Sequence, residues 1–86
     1  MKFKTTERFE KSFKKLPKHI RKKFYKQLSF LLENMEYPSL FCKKIHGYEN
    51  IWEARVDYQY RFTFNIQSGV ILLRVTGNHD EVLRKP

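Results

Sequence analysis

The sequence predicts an α+β fold in which a strand and a helical hairpin precede a three-stranded antiparallel meander, with the helices on one face of a single sheet. Three observations predict it. Apolar residues recur at helical spacing up to about residue 35, they alternate with polar ones from Ile51 onward, and Pro and Gly stand at the boundaries between these stretches.

Met1 to Thr5 reads as a short strand. Thr6 is placed to cap a helix, its hydroxyl accepting from an orphan N–H, and Glu7 follows in the first turn, where an acidic side chain suits the helix dipole. Phe9, Phe13 and Leu16 then fall on one face, with Lys11, Lys14 and Lys15 elsewhere. Pro17 closes this helix and suits the first position of a second, whose stripe is Ile20, Phe24, Leu28, Leu31 and Met35. Tyr37-Pro38-Ser39 breaks the stripe, and residues 38 to 50 follow neither period, so they read as an irregular connection with one turn of order. Trp52, Ala54, Val56 and Tyr58 alternate with Glu53, Arg55, Asp57 and Gln59 as a half-exposed strand. Tyr60, Phe62, Phe64 and Ile66 form the apolar phase of a second strand, and Gln67-Ser68-Gly69 turns it into a third over Val70 to Thr76. The face away from the helices is expected to be open, presenting alternate polar side chains as a cradle for an extended polymer.

A chain of 86 residues has apolar surface for one core, so residues 1–86 are expected to be one domain. Apolar residues at 41%, with eight Phe and five Tyr, are enough to fill that core despite the charge. A lone Cys42 forms no internal disulfide, no leader-type apolar segment follows Met1, and no run approaches the length of a membrane span. A cytoplasmic protein without membrane residence is expected. The charge of +9 is concentrated: residues 1 to 26 hold eleven Lys or Arg against Glu7 and Glu10, while the rest of the chain balances. Such a block, which includes Lys22, Lys23 and Lys26, suits a polyanion, because each neutralised phosphate releases counterions.

No phosphate loop, paired Cys-x-x-Cys or His-Glu-x-x-His is present, and the three His and one Cys are scattered singly, so no metal or other cofactor is expected. Metal-free RNA cleavage needs a base for the ribose 2′-hydroxyl, an acid for the leaving 5′-oxygen and a cation for the charge building on the phosphoryl oxygens. Candidates stand on the strands and at the sheet's end. Arg61 suits the cationic role, its planar fork bonding two phosphate oxygens, though it also fits as a cross-strand partner of Glu53 or Asp57. His79, after Thr76-Gly77-Asn78, suits proton transfer or a plain turn cap. Glu53 is a candidate base or orienting group and Arg55 a phosphate ligand, with an ordinary surface ion pair as the alternative for both. Lys43 and Lys44 are candidates for RNA phosphates. Trp52 and Tyr60 sit on apolar phases and suit core packing, as does Cys42 at the core's edge.

Lys44-Ile-His-Gly47, Ile51-Trp-Glu-Ala-Arg-Val56, Tyr60-Arg-Phe-Thr-Phe64 and Thr76-Gly-Asn-His-Asp80, with Lys-Lys-Leu-Pro at 14 to 17, together resemble the RelE/ParE toxin superfamily over nearly the whole chain. The Thr-Gly-x-His ending is similar to RelE, YafQ and HigB-like members rather than to the gyrase-poisoning ParE members. The resemblance implies a RelE-like fold and a toxin that cleaves mRNA without metal, on the translating 70S ribosome, held in check by a cognate antitoxin. It also implies roles: Arg61 stabilising the scissile phosphate, His79 transferring a proton, and Arg55 and Glu53 standing where RelE has lysines. Leu83 stands about where other members carry a C-terminal aromatic, which implies either a larger share of proton transfer for His79 or slow cleavage with a different codon preference. The basic hairpin would then contact ribosomal RNA. Two other readings share these features: a gyrase poison of the ParE type, and a noncatalytic RNA-binding module.

Overall fold

The computed structural model describes residues 1–86. Strand β1 (Lys2–Thr5) leads into α1 (Glu7–Lys14) and α2 (Lys18–Glu33), then a single 3-10 turn at Pro38–Leu40. The rest is β2 (Lys43–Lys44), β3 (Trp52–Arg55), β4 (Tyr60–Gln67), β5 (Val70–Asn78) and α3 (His79–Arg84). The strands form one sheet in the order β1-β5-β4-β3-β2, with β1 parallel to β5 and every other pair antiparallel.

Local chemistry sets the helix boundaries. Thr6 Oγ1 accepts from Phe9 N at 3.0 Å and donates to the Leu73 and Arg74 carbonyls, so one hydroxyl both caps α1 and ties it to β5. Pro17 starts α2, whose buried face of Ile20, Phe24, Leu28 and Leu31 follows the helical period. These side chains meet Ala54, Val56, Phe62, Phe64, Ile71 and Leu73 from the sheet. Phe24 crosses Phe62 edge-on with 5.0 Å between ring centroids, the arrangement aromatic quadrupoles favour.

The expected fold class and helical packing face are present, and four details differ. The meander gains a short edge strand, β2, and the expected N-terminal strand joins the other side parallel to β5, so the one sheet is mixed and has five strands. The strand from Trp52 ends at Arg55, because Asp57 Oδ1 accepts from the backbone N–H of Gln59 and Tyr60 and pulls residues 57–60 into a turn. Strand β5 runs to Asn78, with Arg74 as an extra residue between the Thr63–Val75 and Phe64–Leu73 pairs, and α3 follows it. Finally, the second face of the sheet is only partly open. The chain beyond β5 returns across β4 and β5, so that Thr63 Oγ1 and Arg74 Nε both donate to the Pro86 carbonyl and Thr63 is fully buried. No helix is long and apolar enough to cross a membrane.

Candidate functional site

Strand register decides which charged residues meet. Arg61 on β4 lies opposite both Arg55 on β3 and Gly77 on β5, and Glu53 lies opposite both Lys43 on β2 and Thr63 on β4. Residues directly opposite share a face of the sheet, so Glu53, Arg55 and Arg61 all stand on the side away from α2.

Arg61 is only 6% exposed. Its Nη1 donates to the carbonyls of Asp57 and Tyr58, at 2.7 and 2.8 Å, and to that of Tyr60 at 3.3 Å, which fixes the β3–β4 turn around the guanidinium. Its Nε is buried with no acceptor. Burial, and after it the facing Arg55 charge, lowers the Arg61 pKa from its ordinary value, only partly offset by Glu53 and Asp57. A cation destabilised in this way gains from an anion.

His79 opens α3. Asn78 caps that helix by accepting from Glu81 N at 3.0 Å, and His79 N–H donates to the Gln59 carbonyl at 2.8 Å, so the start of α3 is pinned to the same turn that Arg61 holds. The imidazole is half exposed, with Nδ1 3.2 Å from Asp80 Oδ1. Arg61 and His79 therefore line one open cleft of about 830 Å³, together with Tyr58, Glu81 and Arg84. Arg84 and Glu81 were missed by sequence reasoning. The signal was Asn78 followed by Asp80, Glu81 and a buried Val82, which is a capped, acid-led helix start.

The other expected site residues lie around this cleft rather than in it. Arg55 and Glu53 line a neighbouring hollow of about 280 Å³ with Phe41, Cys42 and Lys43. Glu53 is not on an open surface: it is 4% exposed, with Lys43 Nζ 3.8 Å from Oε1 and with Oε2 unpartnered. Lys44 lies over the Trp52 ring at 5.7 Å. Lys22, Lys23 and Lys26 are exposed on α2, and Lys23 reaches Asp57 Oδ2 at 3.8 Å, which joins the basic helix to the rim of the cleft. Trp52 stacks on Phe64 and Tyr60 packs against the core. No three His, Cys, Asp or Glu side chains are grouped to hold a metal ion.

The family model of the ParE toxin of the type II toxin–antitoxin system parDE matches residues 3–81. No curated protein sequence matches significantly. Among solved structures, the RelB–RelE antitoxin–toxin complex from Methanococcus jannaschii is similar over 100% of both chains, with a TM-score of 0.74 and 26% identity. YafQ from Escherichia coli BL21(DE3) is similar over 92% of this chain and 93% of its own, with a TM-score of 0.76 and 14% identity. The YoeB dimer from Staphylococcus aureus is similar over 92% of this chain and 97% of its own, with a TM-score of 0.77 and 13% identity.

Proposed function

The chain belongs to the ParE toxin family, within the RelE/ParE superfamily of type II toxin–antitoxin toxins, and from that premise we propose that it is a metal-independent endoribonuclease that cleaves mRNA on the translating ribosome. The observation that carries the reading is the shared cleft of Arg61 and His79. Attack of a ribose 2′-oxygen on the adjacent phosphorus breaks the bond to the 5′-oxygen. The step needs a base to take the 2′-hydroxyl proton, an acid to protonate the leaving 5′-oxygen, and fixed cations for the equatorial phosphoryl oxygens. His79 carries one of the two proton transfers, and the open cleft admits water for the other. Arg61, held rigid by three carbonyls, is the fixed cation, and Arg55 opposite it and Arg84 on α3 add positive charge. Glu53, too buried to reach the cleft, serves here as a counter-charge that keeps the arginine pair together. Lys22, Lys23, Lys26, Lys43 and Lys44 bind phosphates of message or ribosomal RNA. The partner that restrains the toxin is a cognate antitoxin whose acidic and apolar residues cover the basic surface, in keeping with the relative crystallised with RelB.

The name of the matched family favours a second reading, a gyrase poison that acts by binding a protein. One experiment separates them. The purified protein is added to a bacterial cell-free translation reaction, to naked RNA and to a gyrase supercoiling assay, alongside Arg61→Lys, Arg61→Ala and His79→Ala. New mRNA 5′ ends that vanish in the variants support the nuclease. Intact RNA with blocked supercoiling by a folded protein supports the gyrase poison.

A further inference from the structure

The 3-10 turn at Pro38–Leu40 must reverse direction to enter β2, and the residue that does so, Phe41, has a left-handed backbone with φ 45° and ψ 44°. Glycine ordinarily takes that position, because a Cβ crowds the following carbonyl. The other non-glycine residue with positive φ, Ser68, is explained by its two-residue hairpin loop with Gly69, which requires positive φ at both positions. Phe41 is the C-cap of the 3-10 turn, its N–H donating to the Pro38 carbonyl at 3.3 Å, a left-handed position at which glycine is the usual residue and a bulky side chain is not. Its conformation is held from outside: Gln27 Nε2 donates to the carbonyls of Ser39 and Arg55, at 3.1 and 2.9 Å, while Ser39 Oγ donates back to Gln27 Oε1. One buried glutamine thus locks the turn to α2 and to the end of β3.

Core packing does not reward this strain. Phe41 is 59% exposed, and the ring contacts that link Phe9, Phe13, Phe24, Phe62 and Phe64 do not extend to it. What the ring does meet is the Arg55 guanidinium, whose Cζ lies 4.0 Å from its centroid. Arg55 in turn stands opposite Arg61. Strain that persists without burial marks a functional position. An exposed aromatic ring beside an arginine is the arrangement on which unpaired bases stack, since every base has a π-face and guanidinium planes extend the surface.

We propose that Phe41 is a base-stacking residue of the cleavage site, receiving one nucleobase of the RNA strand next to the phosphate held by Arg55 and Arg61. The inference rests on the nuclease reading above and adds to it an element that sets the strand's register from the hollow beside the cleft.

Cleavage is measured for wild type, Phe41→Gly, Phe41→Leu and Phe41→Tyr on naked and ribosome-bound messages, each made intact and with a single abasic nucleotide at successive positions around the cut. Phe41→Gly suits the left-handed backbone, so its melting temperature is expected to stay within a few degrees of wild type. Its kcat/KM is expected to fall between about fivefold and a hundredfold, the range for removing one stacked base. Phe41→Leu should fall similarly and Phe41→Tyr should recover. One abasic position should cost wild type a comparable factor and cost Phe41→Gly little, because both remove the same contact. Unchanged cleavage by Phe41→Gly overturns the inference and leaves the nuclease reading standing. So does an equal loss on intact and abasic messages, which is what a ring that only props Arg55 would give. A folded wild type that cleaves neither message removes the nuclease reading, and this inference with it.

Discussion

Arg55 and Arg61 stand directly opposite each other on β3 and β4, so two guanidinium groups share one face of the sheet with no carboxylate between them in the register. Like charges so placed are destabilising, and the buried Arg61 Nε has no acceptor. A phosphate-sized dianion beside the pair would offset the repulsion. Phosphate or sulfate is therefore expected to raise the melting temperature of the wild type, and to raise that of Arg55→Gln much less, in thermal scans at constant ionic strength with chloride as the control. An equal response from the two proteins would show that the pair binds no anion.

The exposed lysines of α2 make a separate, salt-dependent contribution. Lys22 and Lys26 have no ion pair, whereas Lys23 already lies 3.8 Å from Asp57. Ribosome binding should weaken with salt, and Lys22→Gln or Lys26→Gln should each make the log–log slope shallower by up to about 0.9, the value for one phosphate contact. Lys23→Gln should change the slope less. Sedimentation with purified ribosomes over a salt series measures all three, and slopes that match wild type would remove α2 from the RNA-binding surface.

Asn78 governs the placement of His79 without entering the chemistry. Its side chain accepts from Glu81 N, and its loss as Asn78→Ala should cost α3 about 1 kcal/mol. Because α3 has only six residues, the effect should be local. Faster amide exchange over residues 79–84, a lower cleavage rate and a nearly unchanged melting temperature are expected together. A full-rate enzyme with a frayed α3 would show that His79 need not be fixed by that helix.

Periodicity made the core legible, since Phe9, Ile20, Phe24, Leu28, Phe62, Phe64 and Leu73 occupy the buried positions their spacing implies. It said less about the second face. Alternation marks Glu53, Arg61 and Thr63 as polar and outward, yet all three are buried: the chain after β5 folds back over Thr63, the β3–β4 turn wraps Arg61, and Glu53 lies beside Lys43 of the short edge strand, none of which has a periodic signature. Arg61 and His79 were legible as candidates from residue type and position. Their convergence was not, because it depends on a backbone bond from His79 to Gln59 and on a turn organised by Asp57. Phe41 was invisible for a related reason: its significance lies in a φ angle and an exposed ring, neither of which a sequence pattern encodes.

Cys42 gives a stability signal that is independent of RNA. Burial, with the Glu53 charge adding to it, pushes the thiol from an ordinary 9.0 up to about 11. In the unfolded chain the thiol sheds its proton first as pH rises, so the unfolded state binds fewer protons than the folded state between these values. The contribution is fully present below pH 9.0 and is lost as pH climbs through about 11. Wild type should therefore lose more stability than Cys42→Ala over that window, when denaturant midpoints are compared at matched pH. The difference between the two curves isolates the thiol. At pH 8 only about one folded molecule in a thousand would carry the thiolate, so alkylation should be far slower than for a free cysteine and should accelerate on unfolding. Parallel curves, or rapid alkylation of the native protein, would place the Cys42 thiol in water rather than at the edge of the core.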